Sequence, residues 1–222
     1  MEWGILAVTV IFVVVGYIVL QGTRASMAWR RAASGGDVDV IRQILEDAIA
    51  SWRSIKRPKE IASDVWRGVQ SVALVDVASG SAPAGARLGA SVSCQAESEY
   101  RLLDGRWVEV SSPLQEGFAV TARLADMLLY DVPNLRLDSV RIDVHTTFRD
   151  ADGIAERACI LTTNVRRELA RGVGWEEWTP AEIVDAFGGR YRLGERGVAL
   201  PIDPVEGAAS PESGALRVRP RS

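Results

Sequence analysis

Ser139–Arg167 reads SVRIDVHTTFRDADGIAERACILTTNVRR, and the way it folds back on itself decides the architecture. Val140, Ile142, Val144, Thr146 and Phe148 alternate with Arg141, Asp143, His145, Thr147 and Arg149, the period of two of a strand with one buried face. Asp150-Ala151-Asp152-Gly153 supplies the turn, and Ile154 to about Arg167 supplies the returning strand. A two-residue Asp152-Gly153 loop would set Phe148 against Arg157. A four-residue loop sets Phe148 against Ala155, Val144 against Cys159 and Ile142 against Leu161, which keeps one face apolar, so that register is the expected one.

Upstream, Ala90 to Leu103 alternates in the same way, with Val92, Cys94, Ala96, Ser98, Tyr100 and Leu102 on one side, and is expected as a single strand. Asp104-Gly105 then predicts a tight hairpin into RWVEV that pairs Leu102 with Trp107. Val69 to Ala78 is a short β-branched run and reads as a further strand, followed by a Gly/Ala/Ser/Pro loop over 79–89.

Helices flank these strands. Asp37 is an N-cap for DVDVIRQILEDAIASWRSI, where Val38, Ile41, Leu45, Ala48, Ile49, Trp52 and Ile55 recur at helical spacing and Pro58 ends the run. Ser112-Pro113 with Gln115 opens a capped helix to about Tyr130, and Thr179-Pro180-Ala181-Glu182 opens another that stops at Gly188-Gly189, with Trp178 placed to staple Ile183. The expectation is an α+β domain over 37–193: a mostly antiparallel sheet of about five strands with helices packed on it. From Gly194 the chain turns to Pro, Gly, Ser and Ala, and 194–222 reads as a tail whose terminal arginines, Arg217, Arg219 and Arg221, suit weak adhesion to anionic lipid.

The N-terminus differs in kind. Trp3 to Leu20, WGILAVTVIFVVVGYIVL, holds no charge, and its 18 residues span about 27 Å as a helix, close to the ~30 Å hydrocarbon core of a bilayer. A cleaved signal peptide would want a basic start and a shorter apolar run, whereas Glu2 is acidic; a buried core helix would not be apolar on every side at a terminus. Residues 1–20 are therefore expected as a transmembrane anchor and 21–36 as a basic segment and joint. Arg24, Arg30 and Arg31 follow the span with no acid before Asp37, which places the C-terminal domain in the cytoplasm, and Trp3, Tyr17 and Trp29 sit where aromatic rings favour the headgroups. Arginine makes up all but Lys56 and Lys59 of the 26 basic residues, a codon bias of GC-rich bacteria, so the expected location is a bacterial inner membrane. Cys94 and Cys159, without a CxxC, are expected as free buried thiols.

The net charge of −3 and a pI of about 5.4 argue against nucleic acid as the main partner. There is no HExxH, no GxxxxGK[ST] and no GxGxxG, so no metal or cofactor is expected. The single histidine, His145, lies two residues from Asp143, and the expected register brings Glu156 beside them as a candidate surface site. Neither cysteine is expected on that face, which leaves the histidine without a nucleophile and favours a structural or solvated role. Glu97 and Glu99 read as a solvated strand face. Trp175-Glu176-Glu177-Trp178 reads either as core packing or as an aromatic edge for a partner protein.

Gly36-Asp37 before an Ile/Leu-rich helix, together with DGRWVEV at 104–110, resembles the helix start and a strand of the NTF2-like cone fold, which includes membrane-tethered members. That resemblance implies a ligand-binding or enzymatic pocket, although here the DGRW strand lies mid-chain and a helix and long hairpin follow it. The preferred expectation is a non-catalytic interaction or scaffold domain, with the lipid bilayer and another protein as partners.

Overall fold

A computed structural model of the chain describes residue 27 and residues 30–82, 85–149, 152 and 154–204. Trp3–Leu20, Arg24 and Trp29 lie outside the described residues, as does the tail beyond Pro204. Among the described residues no helix is long and apolar enough to cross a membrane.

The chain enters on a helical segment over 30–34 that is fastened to the domain. Gly35 N–H donates to Arg31 O at 2.8 Å and Asp37 N–H to Ala32 O at 3.1 Å, while Gly36, at φ 83°, takes the left-handed conformation that closes a helix end. Ala33 is buried in the core. The residues expected as a joint thus form a hydrogen-bonded corner. Asp37 then caps α1 (Val38–Ser54) by accepting from the amides of Asp39 and Val40, and Ile41, Leu45, Ile49 and Trp52 form its buried stripe.

The second helix, α2 (Ser63–Gln70), takes in the start of the run expected as a strand, because Trp66 and Val69, three apart, both bury. The strand itself, β1 (Ala73–Ala82), begins later and pairs antiparallel with β2 (Gly85–Gln95) as far as Ala82 and Gly85. The expected loop over 79–89 is therefore mostly hairpin. Small and turn-forming residues hide it, since the ladder needs only backbone groups.

The long strand expected over 90–103 is broken. Ala96 N–H makes a last bond to His145 O at 2.9 Å, after which the chain leaves the sheet and forms β3 (Glu99–Leu103), which among the described residues pairs only with β4 (Arg106–Ser111). The expected Leu102–Trp107 pairing is present, and Asp104 and Gly105, at φ 49° and 74°, form the left-handed turn that Asp-Gly favours. Helix α3 (Pro113–Asp126) follows with the Ser112/Gln115 capping box and continues as a π-helical turn at Met127–Asp131.

Then come β5 (Ser139–Arg149), β6 (Ala155–Arg166), the short α4 (Arg167–Ala170), α5 (Pro180–Ala186) with its Thr179/Glu182 capping box, and β7 (Arg190–Leu193). Residues expected as the start of a tail instead form β8 (Ala199–Leu200) against β7, and Ile202 N–H donates to Cys159 O at 2.8 Å. The domain is α+β: a six-stranded sheet in the order β1-β2-β5-β6-β7-β8, antiparallel except where β2 meets β5, and a separate two-stranded sheet. Helices cover one face. Val92, Val140, Ile142, Val144, Leu161 and Val165 form one core cluster with the buried stripes of α1 and α3.

Candidate functional site

The β5–β6 pair settles where the sequence candidates lie. Phe148 pairs with Glu156, Val144 with Leu161 and Ile142 with Thr163, with a bulge between Val144/Leu161 and His145/Cys159 that leaves Ile160 as the extra residue. The expected register is thus off by one near the turn and by two beyond the bulge. Ile160 and Leu161 both bury completely, which a regular strand with one apolar face does not permit.

The one-residue difference changes the chemistry. Glu156, expected beside His145, instead shares the face of Phe148, while Arg157 pairs with Thr147 on the histidine's face. Cys159, expected on the other face, stands directly across from His145. Asp143, His145 and Cys159 thus meet on the face of the sheet that carries no helix among the described residues, and Cys159 is not part of the core cluster.

These three groups are neutral or already occupied. Arg141 Nε donates to Asp143 Oδ1 at 3.1 Å and Thr162 Oγ1 donates to the same oxygen at 2.5 Å, while Arg141 Nη2 lies 3.1 Å from Oδ2. The His145 imidazole is held below its ordinary 6.5, by burial first and then by the charge of Arg157, so it is neutral at pH 7. Its Nδ1 is buried and has no hydrogen-bond partner among the described residues. Burial first, then the charge of Asp143, pushes the Cys159 thiol up to about 11, and its S–H donates to Leu161 O at 3.4 Å. A thiol with that pKa is about 0.01% thiolate at neutral pH, too little for a nucleophile. The register brings together the residue types of a cysteine-histidine-aspartate array, but the aspartate is tied to Arg141 and Thr162 and the thiol faces a carbonyl. Cys94 is likewise a free buried thiol. Among the described residues no group of acidic, histidine or cysteine side chains is disposed to hold a metal.

Trp175 and Trp178 are both half-buried and pack against the core. Trp175 Nε1 donates to Ala170 O at 3.2 Å, and its ring lies 6.3 Å from that of Tyr130, edge on, and 6.1 Å from that of Phe187. Its free edge lines an open groove of about 450 Å³ with Arg123, Asp126, Tyr130 and Arg171. Glu176 and Glu177 are exposed. Arg30 and Arg31, the described members of the expected membrane-interface set, are exposed as well.

Sequence reasoning missed the surface that stands out most. The β3–β4 hairpin exposes Tyr100, Leu102 and Trp107 on one face and Leu103, Val108 and Val110 on the other, with Trp107 at 71% and Leu102 at 57%. The alternation and the Asp-Gly turn were readable. Nothing local shows that, among the described residues, this hairpin forms a sheet of its own. Glu116 was also missed: it lies in the first turn of α3, only 2% exposed, 3.3 Å from Arg67, with Oε1 unpartnered among the described residues. The only local signal for it was its place between Leu114 and Gly117, which also bury.

Known protein families, curated proteins and solved structures yield no match to this chain.

Proposed function

We propose that the chain is a single-pass membrane protein that holds a non-catalytic α+β domain at the cytoplasmic face of a bacterial inner membrane, where the β3–β4 hairpin docks on a partner protein. The observation that carries this reading is the hairpin itself. A two-stranded sheet is marginal alone, and this one exposes three large apolar side chains on each of its faces, the kind of uncovered apolar surface that marks an interaction site. Trp107 and Tyr100 are residue types favoured at interface centres. The uncharged Trp3–Leu20 run supports the anchor, the following arginines support the orientation, and two unpaired cysteines accord with a reducing compartment.

Alkaline carbonate washing and a reporter fused after Ser222 test the placement. The reading expects the chain to stay in the membrane pellet and a reporter active only in the cytoplasm to be active; release by carbonate, or activity of a periplasm-dependent reporter, contradicts it. A second reading, a membrane-tethered ligand-binding module as the NTF2-like resemblance implies, is favoured by the groove beside Trp175, whose aromatic wall and mixed charges suit a small polar ligand. Saturable quenching of tryptophan fluorescence by a small-molecule set, lost in Trp175→Leu, would favour that reading.

A further inference from the structure

The face of the six-stranded sheet opposite the helices is basic although the whole chain is acidic. In strand register this face carries Arg87 from β2, Arg141 and Arg149 from β5, Arg157 and Arg166 from β6, and Arg190 and Arg192 from β7. All but Arg141 and Arg166 are exposed. Two carboxylates share these positions among the described residues, and both are paired: Asp143 with Arg141 at 3.1 Å, and Asp76 on the edge strand with Arg42 at 3.6 Å. Between the arginines lie Ser91, Ser93, Gln95, Thr147 and Asn164, neutral groups able to donate hydrogen bonds. A chain of net charge −3 thus segregates an excess of guanidinium groups onto the sheet face that none of the described helices covers.

We propose that this sheet face docks on the anionic phosphate headgroups of the bilayer, so that the domain lies against the membrane. The occupant follows from charge and from what is missing. Guanidinium groups fork onto phosphate oxygens, and clustered basic residues near an anionic leaflet are attracted over about a Debye length. Single-stranded RNA is the rival polyanion, but its binding surfaces stack bases on exposed aromatic rings, and these strand positions carry no Phe, Tyr or Trp, only the half-buried His145. The choice of a membrane rests on the anchored reading, which keeps the bilayer within reach of the domain at all times.

The test uses the full chain with Thr147→Cys on this face, labelled with a fluorophore and reconstituted into vesicles bearing a headgroup-attached quencher. Cys94 and Cys159 are buried and stay unlabelled in the folded protein. Quenching is expected to be about threefold stronger in vesicles with roughly one third phosphatidylglycerol than in pure phosphatidylcholine, and to fall to the phosphatidylcholine level at about 0.5 M salt. The Arg157→Glu/Arg190→Glu variant is expected to lose the excess quenching while still floating with the vesicles. Equal quenching in both lipids, with the chain still floating, overturns the docking and leaves the anchor intact. Failure to float overturns the anchored reading and the docking with it. Tight binding of a labelled single-stranded RNA, lost in the charge-reversal variant and without excess quenching, overturns it in favour of nucleic acid.

Discussion

Glu116 and His145 titrate in opposite senses, and the difference is measurable. Burial raises the Glu116 carboxyl from 4.5 to about 7, against the partial relief of Arg67. Between those values the folded state holds a proton that the unfolded state has lost. Its contribution is therefore complete below about 4.5 and is lost as the pH rises through 7. Glu116→Gln is expected to be more stable than the parent at pH 8 by about 2 kcal/mol and to differ little at pH 5, as read from thermal unfolding at the two values. An equal difference at both pH values would show that the carboxyl does not titrate this way. His145, held below 6.5, acts the other way: the unfolded chain binds the proton first, so stability falls as the pH drops below about 6.5. As the only histidine in the chain, it gives one imidazole signal to follow by NMR. That signal should titrate below 6.5, and Arg157→Gln should move it upward. Cys159, at about 11 and buried, should resist iodoacetamide at pH 7.5 until the protein is denatured. The residues of this cluster were legible as types, but their protonation depends on neighbours supplied by the register, so their states were not.

At the scale of elements, what the sequence revealed is what short-range chemistry determines. Asp37, Ser112 and Thr179 cap their helices as their side chains and spacings require, and the Asp104-Gly105 turn sets Leu102 against Trp107. Ser112→Ala is expected to cost about 1 kcal/mol in urea unfolding, because it leaves the Gln115 amide without its cap. Long-range pairing was not legible in the same way. The bulge buries Ile160 and Leu161 together, and nearby Gly117 lets α3 approach the sheet so closely that an added Cβ would lie 3.3 Å from Val144 Cγ1. A comparable approach joins α2 to α3: a Cβ on Gly68 would overlap Val120 Cγ2 and lie 3.2 Å from Gln95 O. Gly68→Ala should therefore lose about 2 kcal/mol, and Val120→Ala should recover part of it in a double-mutant cycle. Additive losses would mean that the two helices part instead of colliding. The strand at 79–82 escaped sequence reasoning because Ser, Gly and Ala carry no apolar alternation, and the end of β2 escaped because the alternation runs straight on into a different sheet.

At the scale of the whole molecule, a buried core and two surfaces left uncovered by the described residues define what the domain offers: an apolar hairpin and a basic sheet face. The α+β class and the one-sided helix layer were visible in the order of strands and helices, whereas both surfaces depend on which strands pair. The hairpin adds little to folding because its side chains are already in water. Leu102→Ser/Trp107→Ser is thus expected to change unfolding stability by less than about 0.5 kcal/mol. A photoreactive residue in place of Trp107, in the full chain within native membranes, tests the claim of a docking hairpin most directly. The account predicts one discrete crosslinked protein species, abolished by Leu102→Ser in the same chain and absent when the probe replaces exposed Glu176. Crosslinking only to lipid, or no species that depends on Leu102, would contradict it.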